Sequence, residues 1–406
     1  MRRFSTFARV CLVETLTVDE LDRQLTQCLG VDGRASFAAI AEVLGVSDQT
    51  VARRYRRLRA AGALRVVGLK YPKSTGYANW FLRLRCVPGS GEAIAAALAQ
   101  RSDTAWVQLL SGDTEVLCSL RGDAADGTES LLTRLPRSGR IVAVTAYSRL
   151  HMFTGGPDAL GFMDVLPPAR VAPLHVAVRT RPRPRPTEPQ ETASDLDAAL
   201  FSALALDGRT PYADIAAASS YSETTVRRRM EQLRETGVLY FDLELDMPTF
   251  GFRSSAWLFL SVPPSHLADV GAALAKFPEV AYVTATTGPA NLAACAVCRD
   301  EESLYEFLTA KVGALPGVER VETAPIIRTV KQASPVMVAR PLSREEEGEG
   351  WRGGGQHGQS QGEGSGERRR PGRAGRAEQA LDPVGDRAGG RGHGTAGNGR
   401  AQAAGA

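Results

Sequence analysis

The chain contains no run of about 18 apolar residues, the length a helix needs to cross a bilayer, so no membrane span is expected. Its opening stretch, MRRFSTFARVCLVETLTVDE, breaks short apolar segments with Arg9 and Glu14 and lacks the continuous core of a secretory signal. A cytoplasmic location is therefore expected, where the six cysteines stay as thiols. Cys295 and Cys298 have no companion pair, and residues three apart on a strand face opposite sides, so neither a metal nor a cofactor is expected. Histidine is scarce: ahead of the Gly/Arg-rich tail only His151, His175 and His266 occur. At +4 the net charge is too small to name a partner, and affinity for nucleic acid would need a local basic face.

What the sequence does contain is a duplication. GRASFAAIAEVLGVSDQTVARRYRRLRAAGAL (Gly33 to Leu64) falls on GRTPYADIAAASSYSETTVRRRMEQLRETGVL (Gly208 to Leu239) at a shift of 175 residues without a gap. Identical pairs include Ile40 with Ile215, Thr50 with Thr225, Arg53 with Arg228, Arg54 with Arg229 and Leu58 with Leu233. FLRLRCVP (Phe81 to Pro88) continues onto AWLFLSVP (Ala256 to Pro263) at the same shift, and after one inserted residue TAWVQLLSG (Thr104 to Gly112) meets VAYVTATTG (Val280 to Gly288). The whole unit is repeated, and that sets the architecture. Residues 1–15 form an extension, 16–70 and 191–246 two helix-turn-helix domains, and 76–155 and 250–332 two α/β domains. Residues 156–190 are a Pro-rich linker whose Arg-Pro alternation favours an extended spacer. Residues 333–406 are a Gly/Arg-rich tail unable to bury a core, expected to be disordered and solubilising.

Helical spacing places Leu21, Leu25 and Leu29 on a first helix and Phe37, Ile40, Ala41 and Leu44 on a second. Gly45 can end the second helix in the left-handed conformation and Ser47 can cap a third, Asp48 to Ala61, which buries Val51, Tyr55 and Leu58. Three such helices with a tight second turn describe a helix-turn-helix, and the β-branched AGALRVVGLK reads as the wing of a winged version. Ser47, Asp48, Gln49 and Thr50 stand where a recognition helix meets base edges, with Arg53, Arg54, Arg56, Arg57 and Arg59 behind them for phosphates. The second copy offers Ser222, Glu223, Thr224 and Thr225, then Arg227, Arg228 and Arg229. An arginine-rich helix alone is as easily a solvated face; the turn, the cap, the wing and the duplication favour DNA.

Behind each wing the pattern β-α-β-β-α-β recurs, giving an α+β chain of two winged helix-turn-helix domains, each followed by a ferredoxin-like βαββαβ domain. The repeated segments, the turns SGDTEV and TGPANL, and LPGVERVETAPIIRTVK together resemble the Lrp/AsnC family of feast-famine regulators in a tandem form, over about residues 16 to 332. That resemblance implies transcriptional regulation through double-stranded DNA, and an α/β domain that senses a small molecule, often an amino acid, and drives dimerisation and higher assembly. It places an effector near the turn after the second strand: Ser111, Gly112, Asp113, Thr114 and Glu115, and Thr287, Gly288 and Asn291 in the second copy. Glu115 could hold a ligand's amino group, whereas Asn291 supplies no charge, and the two glycines also suit a tight turn with no ligand. The two sensing domains of one chain are expected to pair face to face as a dimer within the chain, with further homo-oligomers possible.

Two other functions stay open at this point. Sirohaem decarboxylases resemble the same family and pair two such units, but they rely on histidine, which has no plausible paired site here; no enzyme is expected. An architectural protein that coats DNA without an effector would need the same basic helix. The copies are unequally basic, since Glu223, Glu231 and Glu235 lie on the second helix and Asp242, Glu244 and Asp246 on its wing, where the first wing has Arg65 and Lys70. Loss of Arg53 and Arg54 is therefore expected to weaken DNA binding more than loss of Arg228 and Arg229, and equal losses in a salt-controlled assay would contradict this.

Overall fold

A computed structural model describes residues 16–70, 78–122, 135, 138–156, 160–177 and 194–334. The extension, the stretch 123–134 where the second helix of the first α/β domain is expected, the Arg-Pro spacer and the tail beyond Ser334 lie outside the described residues. The first copy runs α1 (Glu20–Val31), α2 (Phe37–Leu44), α3 (Asp48–Ala60), β1 (Leu64–Lys70), β2 (Ala78–Cys86), α4 (Gly91–Ala99), β3 (Thr104–Leu110), β4 (Glu115–Gly122) and β5 (Ile141–Thr154). After a short helix, α5 (Pro168–Val171), the second copy repeats the order. It has α6 (Asp195–Leu206), α7 (Tyr212–Ser219), α8 (Glu223–Glu235), β6 (Leu239–Leu245), β7 (Ser254–Ser261), α9 (Leu267–Leu274), β8 (Val280–Thr286), β9 (Leu292–Cys298), α10 (Glu301–Glu306) and β10 (Arg320–Lys331).

The caps form as the residue types dictate. Ser47 and Ser222 each accept the backbone N–H three residues on, satisfying a donor that the first helical turn leaves free. The turn before α3 passes through Gly45 at φ 70°; in the second copy Ser220 takes the same left-handed geometry at φ 59°, which costs a side-chain-bearing residue about 1 kcal/mol. Leu25, Ile40, Val51 and Leu58 share one apolar core with Leu200, Ile215, Val226 and Leu233, so the two helix-turn-helix units pack as one body.

The strands expected to be wings are not wings. β1 and β6 pair with each other in a two-stranded antiparallel sheet, centred on Val67 opposite Asp242, with Leu64 opposite Leu245 and Lys70 opposite Leu239. A wing is a hairpin that closes its own hydrogen bonds; each copy supplies only one strand here, and the ladder is completed by the other copy. The charges once assigned to opposing wings also meet inside this sheet, where Glu244, 7% exposed, receives Arg65.

Each α/β half has the strand order of a ferredoxin-like sheet, β3-β4-β2-β5 and β8-β9-β7-β10, and the two sheets close into one barrel through β5 with β8 and β10 with β3. That closure explains why the last strands are long, reaching Thr154 and Lys331. The first part of β5 pairs with β2 and its end, Arg149 to Thr154, with β8; β10 divides likewise between β7 and β3. Phe81, Leu110, Leu117, Tyr147, Trp257, Phe259 and Ala293 fill the space between the sheets, and the Trp257 indole donates to Gln108 of the other half at 2.7 Å. Cys295 lies on this inner side and Cys298 on the outer core, so the CxxC spacing brings no pair together.

Phe81 and Trp257 occupy equivalent inward positions, as do Ser119 and Cys295 across from them, so the copies align at a shift of 176 already in β2 and β7. The inserted residue precedes these strands; a one-residue slip would turn every side chain to the wrong face. The start of the linker is also not a free spacer, since Met163, Leu166, Val171 and Leu174 are buried in the helix-turn-helix core. Gln27 anchors it, accepting from the N–H of Val165 and Leu166 and donating to Asp164 and the Leu166 carbonyl.

Because both cores span the two copies, cutting the chain within Arg181 to Pro186 should leave the halves bound to each other through size-exclusion chromatography. Separation into two stable, freely eluting halves would contradict the shared core.

Candidate nucleic-acid interface and sensing turns

On α3 the buried stripe Val51, Tyr55, Leu58 faces the core, and Ser47, Asp48, Gln49, Arg53 and Arg56 are exposed, with Thr50 partly so. The arginines divide into two groups. Arg54 donates to both Asp19 oxygens and at 2.9 Å to Asp22, and Arg57 also reaches Asp22, a carboxylate with no exposed surface at all. Arg59 pairs with Asp207 at 2.9 Å. Arg53 forms no ion pair among the described residues, and Arg56 makes only a bond back to the Ala52 carbonyl. Arg54 and Arg57, expected to contact phosphates, tie α3 to α1 through these acids, and Arg57 is exposed as well.

The second copy makes the same division. Arg229 grips Asp197 with two bonds of 2.8 Å, and those bonds hold the Asp197 carboxyl below its ordinary range. The pair is thus intact at neutral pH and its stabilisation is lost only as the pH falls below about 3.9 toward the folded-state value. Ser222, Thr224 and Arg228 are exposed and Thr225 partly so, while Arg227 is spent on Glu223 at 3.1 Å. Where α3 carries exposed Arg56, α8 carries exposed Glu231. Among these positions the exposed charge without an ion pair is therefore two arginines on α3 against one arginine and one glutamate on α8.

A helical wheel shows that residues 54 and 57 adjoin the buried stripe, but not that a carboxylate waits there. The duplication held the missing signal: Leu21-Asp22 recurs as Leu196-Asp197, and Arg54 as Arg229, so an acid sits on the same apolar face in both copies.

The turns expected to meet an effector are held by the protein's own contacts. Ser111, Gly112 and Asp113 all have positive φ, and the Thr114 hydroxyl closes the turn onto the Ser111 carbonyl. Glu115 is buried and receives Arg83 at 2.7 Å, while Arg83 also reaches Glu322 of the other half. Asn291 bridges the Val262 backbone with both its amide groups, and Gly288, at φ 106°, lies against the Tyr147 ring. Each turn is tied to the last strand of the opposite half, Ser111 N–H to the Pro325 carbonyl at 3.0 Å and Thr287 N–H to the Ser148 carbonyl at 2.9 Å. Burial raises the thiols of Cys118 and Cys295 to about 12, and no cluster of three metal-ligating side chains occurs among the described residues. His151 is exposed with its ring edge against Phe153, and His266 is exposed just before α9; the His175 side chain lies outside the described residues.

Comparison with known proteins follows the same division into units. Residues 18–59 and 194–234 match the AsnC-type helix-turn-helix domain, and residues 255–336 the Lrp/AsnC ligand binding domain. The HTH-type transcriptional regulator FL11 of Pyrococcus horikoshii is 29% identical over 141 residues, 34% of this chain and 93% of its own length. An uncharacterised HTH-type transcriptional regulator of the same organism is 30% identical over 139 residues, 34% of this chain and 87% of its own. A nearly complete relative thus corresponds to about one unit of this chain. Across both units the fold is similar to the sirohaem decarboxylase NirDL, at 14% identity and a TM-score of 0.52, covering 77% of this chain and 93% of that one.

The division of the arginines predicts opposite phenotypes for neighbours. Arg53→Ala should lower DNA affinity with little change in melting temperature. Arg54→Ala should lower the melting temperature, by an amount corresponding to about 2 kcal/mol for lost charge-assisted hydrogen bonds, since buried Asp22 keeps only Arg57 and the Asp19 N–H. Equal thermal effects of the two substitutions would contradict the assignment.

Proposed function

Because the chain belongs to the Lrp/AsnC family of transcriptional regulators, we propose that it is a sequence-specific DNA-binding regulator in which one chain supplies both halves of the DNA-reading unit. The observation that carries this reading is the exposed row Gln49, Arg53 and Arg56 on α3, set on a rigid body with a second, less basic copy. Gln49 has the amide geometry to read adenine in the major groove, and Arg53 and Arg56 supply phosphate contacts. In the second copy Thr224 and Arg228 remain, and Glu231 opposes the backbone, so α8 makes the weaker contact. The operator consists of two unlike half-sites, the first dominant.

A small molecule such as an amino acid modulates binding through the paired α/β domains. Support comes from the ligand-binding match over 255–336 and from the sensing turns, whose contacts run between the halves. A ligand that displaced Arg83 from Glu115 would loosen the same contacts that set how the halves pair. The protein acts in the cytoplasm and is not an enzyme on this reading. The likeness to NirDL is one of fold, and the space between the sheets is filled by aromatic side chains.

Footprinting of the intact chain on genomic fragments is expected to show one short protected operator with unequal halves, whose affinity falls steeply with salt. Uniform protection growing with DNA length would instead support an architectural role.

A further inference from the structure

Both copies carry the tripeptide Asp-Gly-Arg between their first two helices, Asp32-Gly33-Arg34 and Asp207-Gly208-Arg209, and the DNA-reading surface uses none of these residues. Their contacts cross between the copies with near-perfect reciprocity. The Arg34 guanidinium donates to the Gly208 and Thr210 carbonyls at 2.9 and 3.1 Å; Arg209 donates to the Gly33 and Ala35 carbonyls at 2.7 and 2.9 Å. Arg34 lies 4.8 Å over the Tyr212 ring, and Arg209 lies 4.5 Å over Phe37, the residue equivalent to Tyr212.

The aspartates reach further. Asp32 accepts the Arg34 N–H and also Arg234 from the end of α8; Asp207 accepts the Arg209 N–H and also Arg59 from the end of α3. Each loop is therefore bonded directly to the recognition helix of the other copy. The glycines permit the close approach: a Cβ on Gly208 would stand 3.0 Å from the Val67 backbone, and one on Gly33 2.8 Å from the Val66 side chain.

We infer that the two Asp-Gly-Arg loops are a reciprocal clasp that fixes the angle and spacing of α3 and α8, and so sets which separation of half-sites the chain accepts. Arg34 and Arg209 are positioning residues: they touch no DNA and act through the helices they align. The inference rests on the DNA-binding reading proposed above. It also gives the weaker copy a use. A poor contact contributes to a bivalent interaction only when it is held at its site, because rigid placement raises its effective concentration. A lysine could preserve the charge but not the planar fork that spans two carbonyls.

The test uses the intact chain and three DNAs carrying its mapped operator: the natural one, one with about 5 bp inserted between the half-sites to turn them to opposite faces of the duplex, and one with only the dominant half-site. Wild type should bind the natural operator roughly tenfold more tightly than either altered DNA. Arg34→Ala/Arg209→Ala, and more mildly Arg34→Lys/Arg209→Lys, should bind all three DNAs with the affinity that wild type has for the single half-site. Retention of single-half-site affinity shows that α3 remains folded. If the double variants still reject the 5 bp insertion as wild type does, the clasp does not set the spacing. If wild type itself binds the natural and inserted operators equally, the inference fails while DNA binding stands; if footprinting of wild type yields no operator from which to build these DNAs, the underlying reading fails.

Discussion

A single β-strand following a helix-turn-helix leaves a row of backbone donors and acceptors that its own half does not satisfy. β1 and β6 solve this by pairing with each other, and that pairing dictates where almost everything else lies. It places the two copies about an approximate two-fold axis at Val67 and Asp242, buries Glu244 against Arg65, and brings the Asp-Gly-Arg loops within reach of the opposite recognition helices. The two sheets exchange strands with the same reciprocity, since their last strands are long enough to serve their own half first and the other half afterwards. A duplicated chain needs no second molecule to complete these contacts.

Duplication within one chain also permits divergence that identical subunits cannot have. Both copies keep the residues that hold the helices in place: the acid on the first helix, the arginine that grips it, the serine cap and the crossing loop arginines. They differ where the surface is free, Gln49 against Thr224 and Arg56 against Glu231. The pairs Arg54/Arg229 and Arg59/Arg234 are kept with their acids, whereas Arg57, the second partner of Asp22, is Gln232 in the other copy.

Much of this was legible in the sequence. The repeat gave the two units, the apolar spacing gave α1 to α3, Ser47 and Ser222 marked their caps, and the alternation of strands and helices gave the sheet order. What stayed hidden were relations between copies. No local pattern states that the partner of β1 is β6, so its β-branched residues read as a wing. Arg54, Arg57 and Arg229 read as DNA ligands because periodicity reports a face and not the carboxylate opposite it. The partners of the turn residues Glu115 and Asn291, Arg83 and the Val262 backbone, are hidden for the same reason. The linker's first residues were judged by their prolines, and Met163 and Leu166 are buried all the same.

Amide hydrogen exchange on the intact chain, with and without operator DNA, tests the account most directly. The strands Leu64–Lys70 and Leu239–Leu245 should exchange slowly and together in both states, and DNA should protect the start of α3 more than the start of α8. Rapid, independent exchange of the two strands, or stronger protection of α8, would contradict it.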